Sequence, residues 1–157
     1  LIHEWSLYIY GKGILETKLK RLILDLDLNK KIKIKGVSVD NYSSINECQI
    51  YAHTSFYEGF SNTILEALSL NKCVLATDCP GVNKEFLEKN KFALMCRTGD
   101  VDSVSKQLLK LVKNKNLRKY FEKKSSKALK GLDVESIGEQ WLAIFNKLFL
   151  NFNNKKN

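Results

Sequence analysis

At 157 residues, 44% of them hydrophobic and 27% charged, the chain is long enough for one domain with a full core and has the composition of an ordinary soluble globular domain. No apolar run approaches the ~20 residues of a membrane-spanning helix, and no secretory leader is expected ahead of the first strand. The +9 formal charge is carried by scattered lysines, densest in "KNKNLRKYFEKKSSKALK", without the aromatic-interleaved ribbon, finger or helix-turn-helix pattern of a nucleic-acid binder.

In chain order, Leu7-Tyr8-Ile9-Tyr10 reads as a buried strand closed by Gly11-Lys12-Gly13. Leu15, Leu19, Leu22, Ile23 and Leu26 then recur at helical spacing. "KIKIK" at Lys31–Lys35 alternates apolar and basic residues, as a strand near a sheet edge does. A short helix at Ser44–Cys48 and a strand at Ile50–Thr54 follow, then a helix at Ser61–Leu70 with Asn71 as its stop. A strand at Cys73–Thr77, a short helix at Val82–Glu88 and a strand at Phe92–Cys96 complete an alternation of strands and helices. Asp102–Asn114, Leu117–Lys130 and Val134–Phe149 read as helices, the last with Ile137, Trp141, Ile144, Phe145, Leu148 and Phe149 on one side.

This alternation predicts an α/β domain: a Rossmann-like parallel sheet with helices on both faces, followed by C-terminal helices. A single domain is expected over 1–157, with a βα core at 1–112, a helical extension at 113–150 and a disordered tail at 151–157. Cys48, Cys73, Cys79 and Cys96 have no paired spacing and only two histidines accompany them, so reduced thiols are expected rather than zinc or a disulfide framework.

In open parallel sheets, ligands sit beyond the carboxyl ends of the strands. Glu58–Ser61 lies at such an end. Ser61 can cap the helix that follows, leaving the amides of Asn62, Thr63 and Ile64 at the positive end of its dipole, a ready site for a phosphate or diphosphate. Gly59 lets backbone approach a ligand closely. Ile64, Leu65 and Leu68 form the core face of that helix, while Asn62, Thr63, Glu66 and Ser69 share the other side. A carboxylate at Glu66, one turn behind the anion site, suits a ribose diol, and Glu58 could serve a second ring. Spacing alone favours the blander alternative of a solvated helix glutamate and a loop charge.

The surrounding sequence, "YEGFSNTILEALSLNKCVLATDCPG", resembles the donor-binding half of family 4 glycosyltransferases of the GT-B fold. The likeness extends upstream to "LYIYGKG" and "KIKIKG" and downstream to Gly99-Asp100, covering roughly Leu7 to Val112. The resemblance implies that Glu58 is the catalytic-site carboxylate contacting hydroxyls of the donor sugar. Gly59, Phe60 and Ser61 would present backbone to sugar and diphosphate, with the Asn62, Thr63 and Ile64 amides near the phosphates and Glu66 on the ribose. Val37 would lie against the base, Gly11 would face the cleft, and Glu85 matches a recurring family glutamate of functional or structural role.

The implied substrate is a UDP- or GDP-sugar, with no obligatory cofactor or metal. The implied chemistry is retaining hexosyl transfer in polysaccharide, capsule or glycolipid assembly. The diphosphate-binding Arg and Lys of the family have no counterpart here, since they precede the matched region. The chain opens on Leu and enters a strand at once, so it is expected to be a C-terminal piece. An N-terminal domain would bind the glycan or lipid-linked acceptor, and the piece alone would be inactive. A cytoplasmic location is expected, with peripheral contact to the inner membrane surface through basic residues. Self-association of the piece is expected through its apolar last helix. The alternative reading is a non-catalytic Rossmann-type nucleotide-binding or interaction module. An epimerase-like site would want a histidine near the glutamates; His53 is close in sequence but reads as a buried structural residue of its strand.

Overall fold

The computed structural model describes residues 4–154, with the side chains of residues 82, 83 and 150–154 left out. Five strands and seven helices follow one another as β1 (Leu7–Tyr10), α1 (Glu16–Asp25), β2 (Ile32–Gly36), α2 (Asn41–Asn46), β3 (Ile50–His53), α3 (Asn62–Ser69), β4 (Cys73–Thr77), α4 (Val82–Asn90), β5 (Ala93–Cys96), α5 (Val101–Lys113), α6 (Lys115–Ser125) and α7 (Val134–Asn154). All strand pairs are parallel, and the expected α/β architecture is present.

β4 is the centre of the core. Its five residues are all buried, because it pairs with β3 on one side and β5 on the other and has helices on both faces. Val74 and Ala76 join Ile64, Ala67 and Leu68 of α3 and Leu87 of α4 in one cluster. Cys73 and Leu75 point the opposite way, into Cys96, Leu111 and Phe121. The period-two alternation of a strand thus distributes a continuous apolar run between two helical layers. Ser125, 1% exposed on α6, ties the extension to this sheet by donating from Oγ to the Lys72 carbonyl at 2.8 Å.

Helix boundaries follow their caps. Asp40 accepts from the Ser43 amide and starts α2 earlier than the apolar spacing predicted. Lys91 takes a left-handed conformation (φ 55) at the end of α4, which runs two residues past the expected Glu88. Asn71 (φ 55) ends α3 as expected. α7 continues to Asn154, so 151–154 are helical rather than a loose tail; 155–157 lie outside the described residues.

Two expectations are corrected. The parallel strands form two sheets, β1-β2 and β3-β4-β5, instead of one. Leu7, Tyr8 and Tyr10, read as a buried strand, are 44%, 47% and 42% exposed, and α1 buries no residue. The reason is layering: β1 and β2 form a sheet of two strands, and no residue of β1, β2 or α1 belongs to either core cluster.

Candidate functional site

β3 ends at His53, and the chain then crosses the carboxyl edge of the three-stranded sheet to reach α3. Two tethers hold this crossing. Thr77 Oγ1, at the end of β4, donates to the Ser55 carbonyl at 2.6 Å. Gly81, at φ 130, lies against the Glu58 carbonyl with no room for a side chain.

Within the loop, His53 Nε2 stands 2.8 Å from Glu58 Oε1, and Ser55 Oγ donates to the same oxygen at 3.0 Å. The His53 bond, aided by Ser55, holds the Glu58 carboxyl below the usual carboxylate range. His53 is therefore more than a structural residue of its strand: its side chain is 16% exposed and is committed to the glutamate expected at the site. The signal available in the sequence was the strand-end spacing, which puts His53 and Ser55 on one side of the chain, two residues apart.

Ser61 caps α3, its Oγ accepting from the Ile64 amide at 3.5 Å and lying 3.1 Å from Thr63 Oγ1. That corrects one expectation. The Ile64 amide is consumed by the cap and Ile64 is 1% exposed, so it cannot face a phosphate. Among the described residues, the amides of Asn62 and Thr63 remain the ones without a protein acceptor at this helix mouth. Gly59 and Phe60 are exposed at the loop's tip, with Phe60 edge-on to Phe86 at 5.4 Å between ring centroids.

One turn further, Glu66 Oε2 is buried and has no hydrogen-bond partner among the described residues. The residue lines an open groove of about 270 Å³ together with Tyr42, Asn62, Leu65, Ser69 and Leu129. Leu65, expected in the core, lines this groove instead, because α2 and the segment after α6 leave a gap along that side of α3. A buried carboxylate oxygen without a donor is costly, and a ligand hydroxyl is the group that would satisfy it. Tyr42 was missed by sequence reasoning; it sits on α2, which packs on α3.

Gly11 and Val37 lie just past the ends of β1 and β2, the strands of the other sheet. Gly11 (φ 126) donates from its amide to the Gly36 carbonyl at 2.7 Å, and Val37 follows β2 at 69% exposure. Neither lines the Glu66 groove. Glu85 is exposed on α4. Among the described residues, no group of three or more His, Cys, Asp or Glu has the arrangement of a metal site. All four cysteines are free, and burial pushes the Cys73 thiol up to about 12.

The parallel α/β sheets, with a capped helix mouth at the carboxyl edge of the three-stranded one, have solved counterparts of the GT-B fold. Staphylococcus aureus TarM, solved with fondaparinux, α-GlcNAc-glycerol and UDP, superposes with a TM-score of 0.79 at 27% identity, covering 90% of this chain and 29% of TarM. Anabaena HepE in complex with UDP has the same fold, with a TM-score of 0.81 at 20% identity over 91% of this chain and 41% of HepE. The family model for glycosyl transferases group 1 matches residues 1–128, and the chain belongs to that family.

Among curated relatives, a Campylobacter jejuni N-acetylgalactosamine-N,N'-diacetylbacillosaminyl-diphospho-undecaprenol 4-alpha-N-acetylgalactosaminyltransferase is 29% identical over 88% of this chain and 38% of its own length. The Staphylococcus aureus poly(ribitol-phosphate) alpha-N-acetylglucosaminyltransferase is 28% identical over 88% of this chain and 28% of its own length. The chain thus spans well under half of the relatives it matches.

Proposed function

We propose that this chain is the donor-binding half of a retaining hexosyltransferase that uses a nucleotide-diphosphate-sugar. The observation that carries the reading is the buried Oε2 of Glu66, without a hydrogen-bond partner among the described residues, on a side chain that lines a groove one turn behind a capped helix mouth. Glu66 receives the ribose hydroxyls, and the Asn62 and Thr63 amides with the α3 dipole receive the diphosphate. Glu58, with Gly59 and Phe60, meets the donor sugar. During transfer, negative charge grows on the departing diphosphate, and a fixed helix mouth stabilises it without reorganising. Val37 and Gly11 border the base side of the donor.

The UDP bound to TarM supports UDP over GDP, and the activities of the Campylobacter and Staphylococcus relatives support an N-acetylhexosamine as the transferred unit. The undecaprenol-linked substrate of the Campylobacter relative supports a lipid-linked glycan acceptor and a cytoplasmic site peripheral to the inner membrane surface. A segment outside this chain binds that acceptor. Transfer requires both substrates to be held together away from water, so the chain alone binds donor without transferring.

The test is an NMR titration of this chain with UDP, GDP and UDP-GlcNAc, beside a Glu66→Gln variant. Shifts centred on Glu58–Glu66 that are lost in the variant are expected. Binding that ignores the Glu66 substitution would sink the ribose assignment and leave a generic nucleotide module. Release of GlcNAc from UDP-GlcNAc by the chain alone would overturn its inactivity.

A further inference from the structure

We propose that His53 is a positioning residue for the donor sugar: together with Ser55 it occupies Oε1 of Glu58 and turns Oε2 toward the ligand. The inference rests on the donor-site reading above, and adds a residue that the glutamate spacing does not contain.

Both protein hydrogen bonds to the Glu58 side chain fall on one oxygen. His53 Nε2 is 2.8 Å from Oε1 and Ser55 Oγ is 3.0 Å from it, and Oε2 takes none among the described residues. An ionised carboxylate only accepts, so His53 must present an N–H at Nε2. In the neutral ring Nδ1 then carries a lone pair, and the Tyr51 hydroxyl 3.4 Å away is the group placed to donate to it. Tyr51 and His53 also stack, with centroids 6.2 Å apart. Both are half-buried residues of β3, whose pairing with β4 places His53 opposite Ala76. The imidazole is thus fixed by a strand at one end and grips a loop carboxylate at the other.

A bare glutamate at this loop could turn either oxygen to a sugar hydroxyl and would lose rotamer freedom on binding. With His53 and Ser55 in place, that freedom is removed before the ligand arrives, and the open oxygen is the one a hydroxyl can reach.

The experiment uses the chain in two readouts. The first is the side-chain nitrogen shifts of the imidazoles, easily separated because the sequence holds only two histidines. A proton on Nε2 is expected, with its resonance moving in Glu58→Gln and Tyr51→Phe. The second is the ratio of UDP-GlcNAc to UDP affinity. His53→Ala should lower UDP-GlcNAc affinity roughly tenfold while leaving UDP unchanged, the size of one charge-assisted hydrogen bond. His53→Gln, which keeps an N–H donor near the Nε2 position, should recover most of the loss.

A ratio unchanged in His53→Ala, with nucleotide binding intact, overturns the role of His53 and spares the donor site. An imidazole protonated on Nδ1 alone overturns it as well. Failure of the unaltered chain to bind any of the nucleotides overturns the donor-site reading, and this proposal with it. Equal losses for UDP and UDP-GlcNAc in both His53 variants would show His53 to be purely structural.

Discussion

Gly81 and Glu58 touch backbone to backbone: a Cβ built on Gly81 would overlap the Glu58 carbonyl oxygen and stand 2.9 Å from its carbon. The turn after β4 is therefore the floor on which the Glu58 loop rests. At φ 130 and ψ 176 Gly81 also occupies a region that only glycine enters without strain.

Gly81→Ala is expected to destabilise the chain by more than the ~1–3 kcal/mol of the backbone strain alone, because the Glu58 loop must move as well. Urea unfolding measures the loss, and amide shifts at 58–61 report the displacement. Gly138→Ala, inside α7 with nothing within 4 Å of the added carbon, is the control and should stabilise by about 0.5–1 kcal/mol. Equal behaviour of the two variants would refute the contact.

Glu66 should show function held at the expense of stability. Its Oε2 is buried without a partner, so Glu66→Met is expected to raise the stability of the unliganded chain by about 1–3 kcal/mol while weakening UDP binding. Denaturation and calorimetric titration on the same two proteins test both halves. A variant that is less stable and binds equally well would show that Glu66 has a structural partner instead.

Two carboxylates give the domain an acid-side pH dependence. Glu58 is held low chiefly by the hydrogen bond from His53, and Asp78 chiefly by the Thr98 amide at 2.8 Å. Each is depressed in the folded state, so on acidification the unfolded chain takes up protons first. The stability they contribute is complete above the ordinary carboxylate range and is lost as pH falls through their folded values. The urea midpoint should be level near neutrality and fall on the acid side, less steeply in Glu58→Gln and Asp78→Asn. An unaltered acid limb in the double variant would contradict this.

α7 carries Trp141, Leu142, Phe145 and Phe149 at 55%, 62%, 57% and 66% exposure, with Trp141 and Phe145 stacked at 5.6 Å. A patch of this kind is expected to drive self-association of the isolated chain. Sedimentation should shift with concentration, and Trp141→Lys with Phe145→Glu should abolish the shift. A concentration-independent monomer would count against it.

The sequence by itself determined what depends on local pattern. The apolar run at Cys73–Thr77 reads as a strand of a sheet covered on both faces, and that is what β4 is. Ser61 and Asn71 bracketed α3 because a hydroxyl cap and a left-handed stop act on the residues next to them. The motif from Glu58 to Glu66 was read through its resemblance to a family, since spacing alone favoured a solvated helix glutamate and a loop charge.

Only the tertiary structure decided which groups meet. Glu58 meets His53 and Ser55 within one short loop, but whether that loop is supported depends on Gly81 arriving from beyond β4. The separation of β1-β2 from β3-β4-β5 likewise follows from strand pairing, which no hydrophobic period encodes. Nor does helical spacing say that Tyr42 of α2 and Leu129 line one groove with Glu66, or that one of its carboxylate oxygens is buried. Periodicity and capping act within a few residues, whereas pairing, close approach and burial are set by chain segments far apart in sequence, and the chemistry of this site belongs to the second kind.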